Sequence, residues 1–319
     1  AVFEVDEAAL PPLLDRLPVG ALLLTNLFRD QLDRFGETDR IIRDWRPMLE
    51  AHPETPVVYC ADEPRLAALV AGRGRTIAVG FGEVPMRLPA SGSETATSGR
   101  GPKRGTGAGA EAPAAGSVTS DVSTCPVCAG ELVTEWTTVG HLGAYHCAAC
   151  GFARPSLDLI VRVVEDRGFD GQVLGLRWAD ESTEARVPVR LIGLANAYNA
   201  AAALAAATAL GVSRADALAA LDGIAGPFGR WETLEIEGRR VVLGLVKNPV
   251  SLDEVTRAGT APAAAAHVDG VLFAMNDQHA DGRDVSWYWD VDPTPLVPGR
   301  TVAISGSRAP DLLLRLRYQ

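Results

Sequence analysis

Two cysteine pairs constrain this chain more than any other feature of its sequence. Cys125-Pro126-Val127-Cys128 and Cys147-Ala148-Ala149-Cys150 are separated by 18 residues, and Gly130 and Gly151 follow closely behind each pair. Two such knuckles supply four thiolates to one tetrahedral Zn²⁺, the closed arrangement of a structural site. The competing readings are unligated core cysteines or a redox pair. His141 and His146 lie between the pairs as rival ligands, although four thiolates make them unnecessary. Between Cys125 and Arg154 the only basic residue is Arg154 itself, against Glu131 and Glu135. A ribbon so poor in cations is not built to grip phosphate, so a structural or docking module is expected. Cys60 has no partner and reads as a small buried hydrophobe.

Around this module the chain is globular. It has 319 residues, 47% hydrophobic and 22% charged, enough for about two domains. The formal net charge of −10 argues against a nucleic-acid partner. The most apolar stretch, residues 200–210, is too short to span a bilayer, and no signal peptide is visible. Thiols kept for metal imply a reducing compartment, and a cytoplasmic protein is expected. There is no initiating Met, residues 1–5 read as an apolar strand, and residues 308–319 break off within a helical pattern. A piece of a longer protein is therefore expected.

Strands at residues 21–24, 57–59 and 76–80 alternate with helices at 37–51 and 65–71. This predicts an α/β fold with a parallel sheet covered by helices. Residues 90–124 are Gly, Ser, Ala and Thr with almost no large apolar side chain, and are expected to form a disordered linker. After the cysteine module, strands are predicted at 158–164, 175–178 and 187–191. An alanine-rich helix follows at 196–210, then a second beginning near Ser213. Strands at 241–245, 270–275 and 301–305 predict a further domain after Gly226-Pro227.

Several polar clusters punctuate this framework. Thr25-Asn26-Leu27-Phe28-Arg29-Asp30-Gln31-Leu32-Asp33-Arg34-Phe35-Gly36 directly follows a strand, where ligands gather in open α/β sheets. Asn196 and Asn199 stand one turn apart at the start of the alanine-rich helix. Helix capping is the plain alternative, good for Asn196 and weaker for Asn199. Residues 276–292 place a run of carboxylates and aromatics after the strand at 270–275; read from composition alone, this is an acidic surface loop.

Together these segments resemble the Mur ligases, and within them most closely the MurT-type subunits of lipid II isoglutaminyl synthase. The segment from Thr25 is similar to the family's TN-x-x-x-DHLD-x-x-G, with Gln31 in place of its histidine. Ala61-Asp62-Glu63-Pro64 resembles the N-A-D-D-P turn. The resemblance implies that Glu4 ligates Mg²⁺, that Asn26, Asn196 and Asn199 bind nucleotide, and that Arg230, within Gly229-Arg230-Trp231-Glu232, reaches the ATP phosphates. Lys247, in Lys247-Asn248-Pro249, would meet phosphate or an acyl phosphate. Asp284, in Ala280-Asp281-Gly282-Arg283-Asp284-Val285-Ser286-Trp287, would orient the catalytic histidine of a GatD-type glutamine amidotransferase partner.

The implied architecture is a Mur central domain at residues 1–89 and 155–226, interrupted by the linker (90–124) and zinc ribbon (125–154). A Rossmann-like domain follows at 227–319. The implied reaction is ATP-dependent amidation of the D-glutamate α-carboxyl of lipid II at the inner membrane face, with Mg²⁺ and structural Zn²⁺. No G-x-x-x-x-G-K-[ST] phosphate loop occurs in the sequence. The central domain therefore lacks its P-loop start, and the sequence as it stands is expected to be inactive in ligation. The alternatives are an amino-acid-adding Mur or folylpolyglutamate-type ligase, and a zinc-ribbon interaction module without catalysis.

Overall fold

The computed structural model describes residues 1–28, 38–82, 122–226, 230–278 and 286–318. A short helix α1 (Leu10–Leu14) leads into β1 (Leu22–Leu24), α2 (Thr38–Ala51), β2 (Val57–Cys60), α3 (Pro64–Val70) and β3 (Thr76–Phe81). In α2, Trp45, Met48 and Leu49 are buried at three- and four-residue spacing, the stripe that a surface helix turns toward its sheet. All four residues of β2 are buried, as befits a central strand covered on both faces. The ribbon contributes the hairpin β4 (Val133–Thr137) and β5 (Gly143–His146). The chain then returns to the sheet as β6 (Leu159–Asp166), β7 (Gln172–Trp178) and β8 (Ala185–Val189).

These strands form one six-stranded sheet in the order β1-β2-β3-β6-β7-β8. Its first four strands are parallel, but β6–β7 and β7–β8 are antiparallel, so the sheet is mixed. Connection length explains this departure from an all-parallel sheet. Only residues 167–171 join β6 to β7, enough for a hairpin but far short of the dozen or so that a parallel crossover needs.

The alanine-rich helix α4 (Leu194–Ala209) packs across the parallel strands, with α5 (Arg214–Leu221) beside it. Of α4's seven buried residues, all but Tyr198 are alanine or leucine, and the small side chains let the helix lie close to the strands. A hairpin of β9 (Glu232–Ile236) and β10 (Arg239–Leu243) begins the C-terminal unit. It continues through α6 (Pro249–Thr260), α7 (Pro262–Ala265), β11 (Gly270–Ala274), β12 (Thr301–Ser305) and α8 (Ala309–Arg317). Here β11 and β12 pair in parallel over a second core that includes Leu252, Phe273, Tyr288 and Leu312.

Two further expectations are corrected. No strand runs through residues 1–6, and Val2 and Phe3 are exposed. Most of the expected linker lies outside the described residues, but 122–124 belong to the ribbon. Val122 is buried, and Thr124 bridges to Glu131.

Candidate nucleotide and metal sites

Each cysteine knuckle is a tight turn closed by its own backbone. The Cys125 amide donates to the Gly130 carbonyl at 2.7 Å, and the Cys147 amide to that of Phe152 at 2.7 Å. The residue just after each second cysteine is left-handed: Ala129 with φ 59° and Gly151 with φ 76°. The four Sγ atoms lie within 4.8 Å of one another. Cys125 and Cys150 approach to 3.7 Å, and Cys128 and Cys147 to 3.6 Å. Tetrahedral thiolates at Zn–S of about 2.3 Å sit about 3.8 Å apart, so this donor set fits that ion. Neither rival histidine competes. The His146 ring faces Glu135 at 3.1 Å, and His141 is buried against Glu63.

The ribbon does not hang off the fold. It is sewn to the turn Ala61-Asp62-Glu63-Pro64, whose two carboxylates are wholly buried. Asp62 accepts from the Phe81 amide at 3.0 Å, from Arg154 Nε at 2.6 Å and from the Tyr198 hydroxyl of α4. Its own carbonyl accepts from the Gly143 amide at 3.1 Å. Glu63 caps α3 by accepting from the Arg65 amide at 3.2 Å. It also receives Arg65 Nε at 2.9 Å, the Leu27 amide at 3.3 Å and His141 Nε2.

The two carboxyls shift in opposite directions. Burial pushes Asp62 above its usual range, a rise that Arg154, Tyr198 and the Phe81 N–H offset only in part. Burial acts on Glu63 as well, but the His141 ring and the Arg65 guanidinium outweigh it and hold the group down at about 2. Gly80 is required here, because a Cβ would lie 2.3 Å from Asp62 Oδ1 and 2.8 Å from Arg154 Nη2.

Three of the polar segments singled out in the sequence meet around the ribbon's β4–β5 turn, residues 138–142. The segment leading away from the end of β1, with Asn26, arrives through the Leu27–Glu63 bond and through Phe28, whose ring stands 5.3 Å from that of His141. The start of α4 arrives through Tyr198, whose hydroxyl lies 2.7 Å from Thr138 Oγ1. On that first turn the Asn196 amide donates to the Ile192 carbonyl at 2.9 Å, and Asn199 is exposed. The start of α6 arrives through Val250, which is buried in the central core.

Lys247 immediately precedes α6, which opens on a capping box between Asn248 and Ser251. The Lys247 amide itself donates to Ser251 Oγ at 3.0 Å. The described contacts do not join the other two expected residues to this cluster. Glu4 is exposed ahead of α1, and Arg230 is exposed at the crossing between the units, one residue before the left-handed Trp231. Asp284 lies outside the described residues.

Sequence reasoning missed Asp62, Glu63 and Arg65 as a hub, along with Glu254 and Arg257 of α6. The available signal was adjacent acids directly after a strand of four apolar residues, a place where solvated carboxylates would be out of position.

The sheet, the helix across it and the smaller parallel unit behind place this chain in the Mur ligase fold class. The structure matches the pseudomurein peptide ligase type C of Methanothermus fervidus with TM-score 0.61 at 18% identity, over 97% of this chain and 61% of that one. It matches the UDP-N-acetylmuramate-alanine ligase MurC of Thermotoga maritima with TM-score 0.51 at 10% identity, over 92% and 48%.

Sequence narrows the class. Residues 245–319 match the family described as MurT ligase C-terminal. The MurT subunit of lipid II isoglutaminyl synthase (glutamine-hydrolyzing) from Streptococcus pneumoniae is 31% identical over 92% of this chain and 58% of its own length. Its counterpart from Staphylococcus aureus is 26% identical over 99% and 64%. This chain is similar to the MurT subunits and spans roughly six-tenths of those relatives.

Proposed function

We propose that this chain is the larger part of an ATP-dependent ligase subunit that amidates the D-glutamate α-carboxyl of lipid II. The carboxylate is activated as an acyl phosphate at the expense of ATP, and ammonia displaces phosphate to leave the amide and inorganic phosphate. The ammonia comes from glutamine hydrolysed by a GatD-type partner. The convergence of the β1 end and the starts of α4 and α6 on one turn carries this reading. Asn26, Asn196, Asn199 and Lys247 belong to these three segments, which are far apart in the chain. The MurT relatives supply the reaction class.

In this reading the exposed Asn199 and the first turn of α4 receive the adenine. Helix starts favour anions, and Lys247 ahead of α6 adds a full positive charge where phosphate leaves. Arg230 is carried to the phosphates by the crossing between the units, and Glu4 holds Mg²⁺, which neutralises phosphate charge when bound. Asp284 orients the partner's histidine, since a carboxylate fixes an imidazole tautomer and stabilises its cation. The four cysteines hold Zn²⁺ as a structural ion. No helix among the described residues is long and apolar enough to cross a membrane, which suits an enzyme that meets its lipid-linked substrate from the cytoplasmic side.

The test combines the full natural chain with its glutaminase partner, ATP, glutamine and lipid II, read by mass spectrometry. Amidated lipid II with matching phosphate release is the expected result. Glutamine-independent ATP turnover with no amidated product would defeat the proposal.

A further inference from the structure

Helix α6 enters the central domain with two charged side chains that the reaction does not use. Glu254 is buried, and its Oε2 accepts from the Ala195 amide at 3.2 Å in the first turn of α4. Gly193, in a left-handed conformation at φ 84°, leaves it room, since a Cβ there would lie 3.0 Å from Oε2. Glu254 Oε1 pairs with Arg257 Nη1 at 3.3 Å. The same Nη1 donates to the Thr138 carbonyl of the ribbon turn at 2.7 Å, while Nη2 is held by Asp253 at 2.8 Å.

That turn is itself clamped. The Thr138 amide donates to the Leu142 carbonyl at 2.8 Å, and the Leu142 amide to that of Val139 at 3.0 Å. Val139 and Leu142 are buried. At the tip Gly140 is left-handed, and a Cβ would sit 3.0 Å from Phe28 and 3.2 Å from Val250, so backbone alone fits between the domains. One turn of the metal-held ribbon is thus wedged where α4, the β1 end and α6 meet.

We propose that Glu254 and Arg257 are positioning residues that lock α6 to the start of α4 and to the ribbon turn. Through them the metallated ribbon sets the angle between the two domains. The ribbon then serves the site at a distance, as a strut against which the C-terminal domain seats. The consequence for nucleotide binding rests on the ligase reading above; the geometric claim does not.

The experiment uses the full natural chain with its metal, carrying non-cysteine dyes at the exposed positions Ala51 and Arg317, and reads their separation by single-molecule energy transfer. The wild type is expected to give one narrow distribution. Glu254→Ala and Arg257→Met are expected to broaden it, as is stripping the ribbon metal with a chelator. Glu254→Gln, whose amide oxygen still accepts from the Ala195 N–H, is expected to keep it narrow. Arg257→Met keeps the apolar stem and guards against a Glu254→Ala variant that fails to fold. Folded variants as narrow as the wild type, or a narrow distribution in demetallated protein, would overturn the proposal.

In the amidation assay, Glu254→Ala is expected to raise the KM for ATP about fivefold, as loss of one helix cap implies, with little change in kcat and with rescue by Glu254→Gln. A wild type without turnover would sink the ligase reading while the distance distributions still judge the lock.

Discussion

Replacing Glu63 tests the buried hub most directly. Its carboxyl titrates at about 2 in the fold against 4.5 in a free chain, even though burial alone would raise it. That difference corresponds to about 3 kcal/mol of stability at neutral pH. An independent route gives the same size, since removing one partner of a buried ion pair costs about 3–5 kcal/mol through the charge left behind. The charge stranded here is the Arg65 guanidinium, 6% exposed at its side chain.

A depressed folded-state pKa adds stability that is fully present above 4.5 and drains away as pH falls toward 2. The gap between wild type and Glu63→Gln is therefore expected to be about 3 kcal/mol at pH 7 and about half that at pH 3. Urea unfolding followed by fluorescence, including that of the buried Trp45 and Trp178, measures this gap at each pH. Pairing Glu63→Gln with Arg65→Met is expected to recover part of the loss, because no charge is then stranded. A gap under ~1 kcal/mol at pH 7, or one that does not change with pH, would refute the reasoning.

Three further outcomes are expected. Elemental analysis of the natural chain is expected to find about one Zn²⁺ per chain, with Cys147→Ser substoichiometric; full retention in that variant would contradict the four-thiolate site. Gly80→Ala forces a Cβ to 2.3 Å from Asp62 Oδ1, and overpacking of this kind costs about 1–3 kcal/mol. Calorimetry is expected to show a fall of several degrees in melting temperature, and an unshifted transition would count against the packing described. Asn199→Ala, at an exposed position, is expected to leave the melting temperature unchanged while weakening ATP binding about tenfold, the worth of a hydrogen bond or two. Equal affinity by calorimetric titration would remove Asn199 from the nucleotide site.

Features under local chemical control were legible along the chain. Spacing alone marked the four cysteines whose sulfurs the fold gathers, because both knuckles close on their own backbones. Apolar runs marked β2 and β3, since strands buried on both faces carry little else. The resemblance supplied the Mur ligase fold class, which composition could not.

Tertiary structure decided the rest. Whether β7 runs against β6 depends on connection length and pairing, not on the strand's own residues. The apolar strand before it marks Glu63 as oddly placed for a solvated acid, but only the fold buries it between Arg65 and His141. Glu254 and Arg257 read in sequence as an ordinary helix-face pair, and only docking gives one of them the start of α4 and the other a carbonyl 119 residues away. Burial turns such groups from solvated charge into directional contacts, and burial is a property of the whole fold.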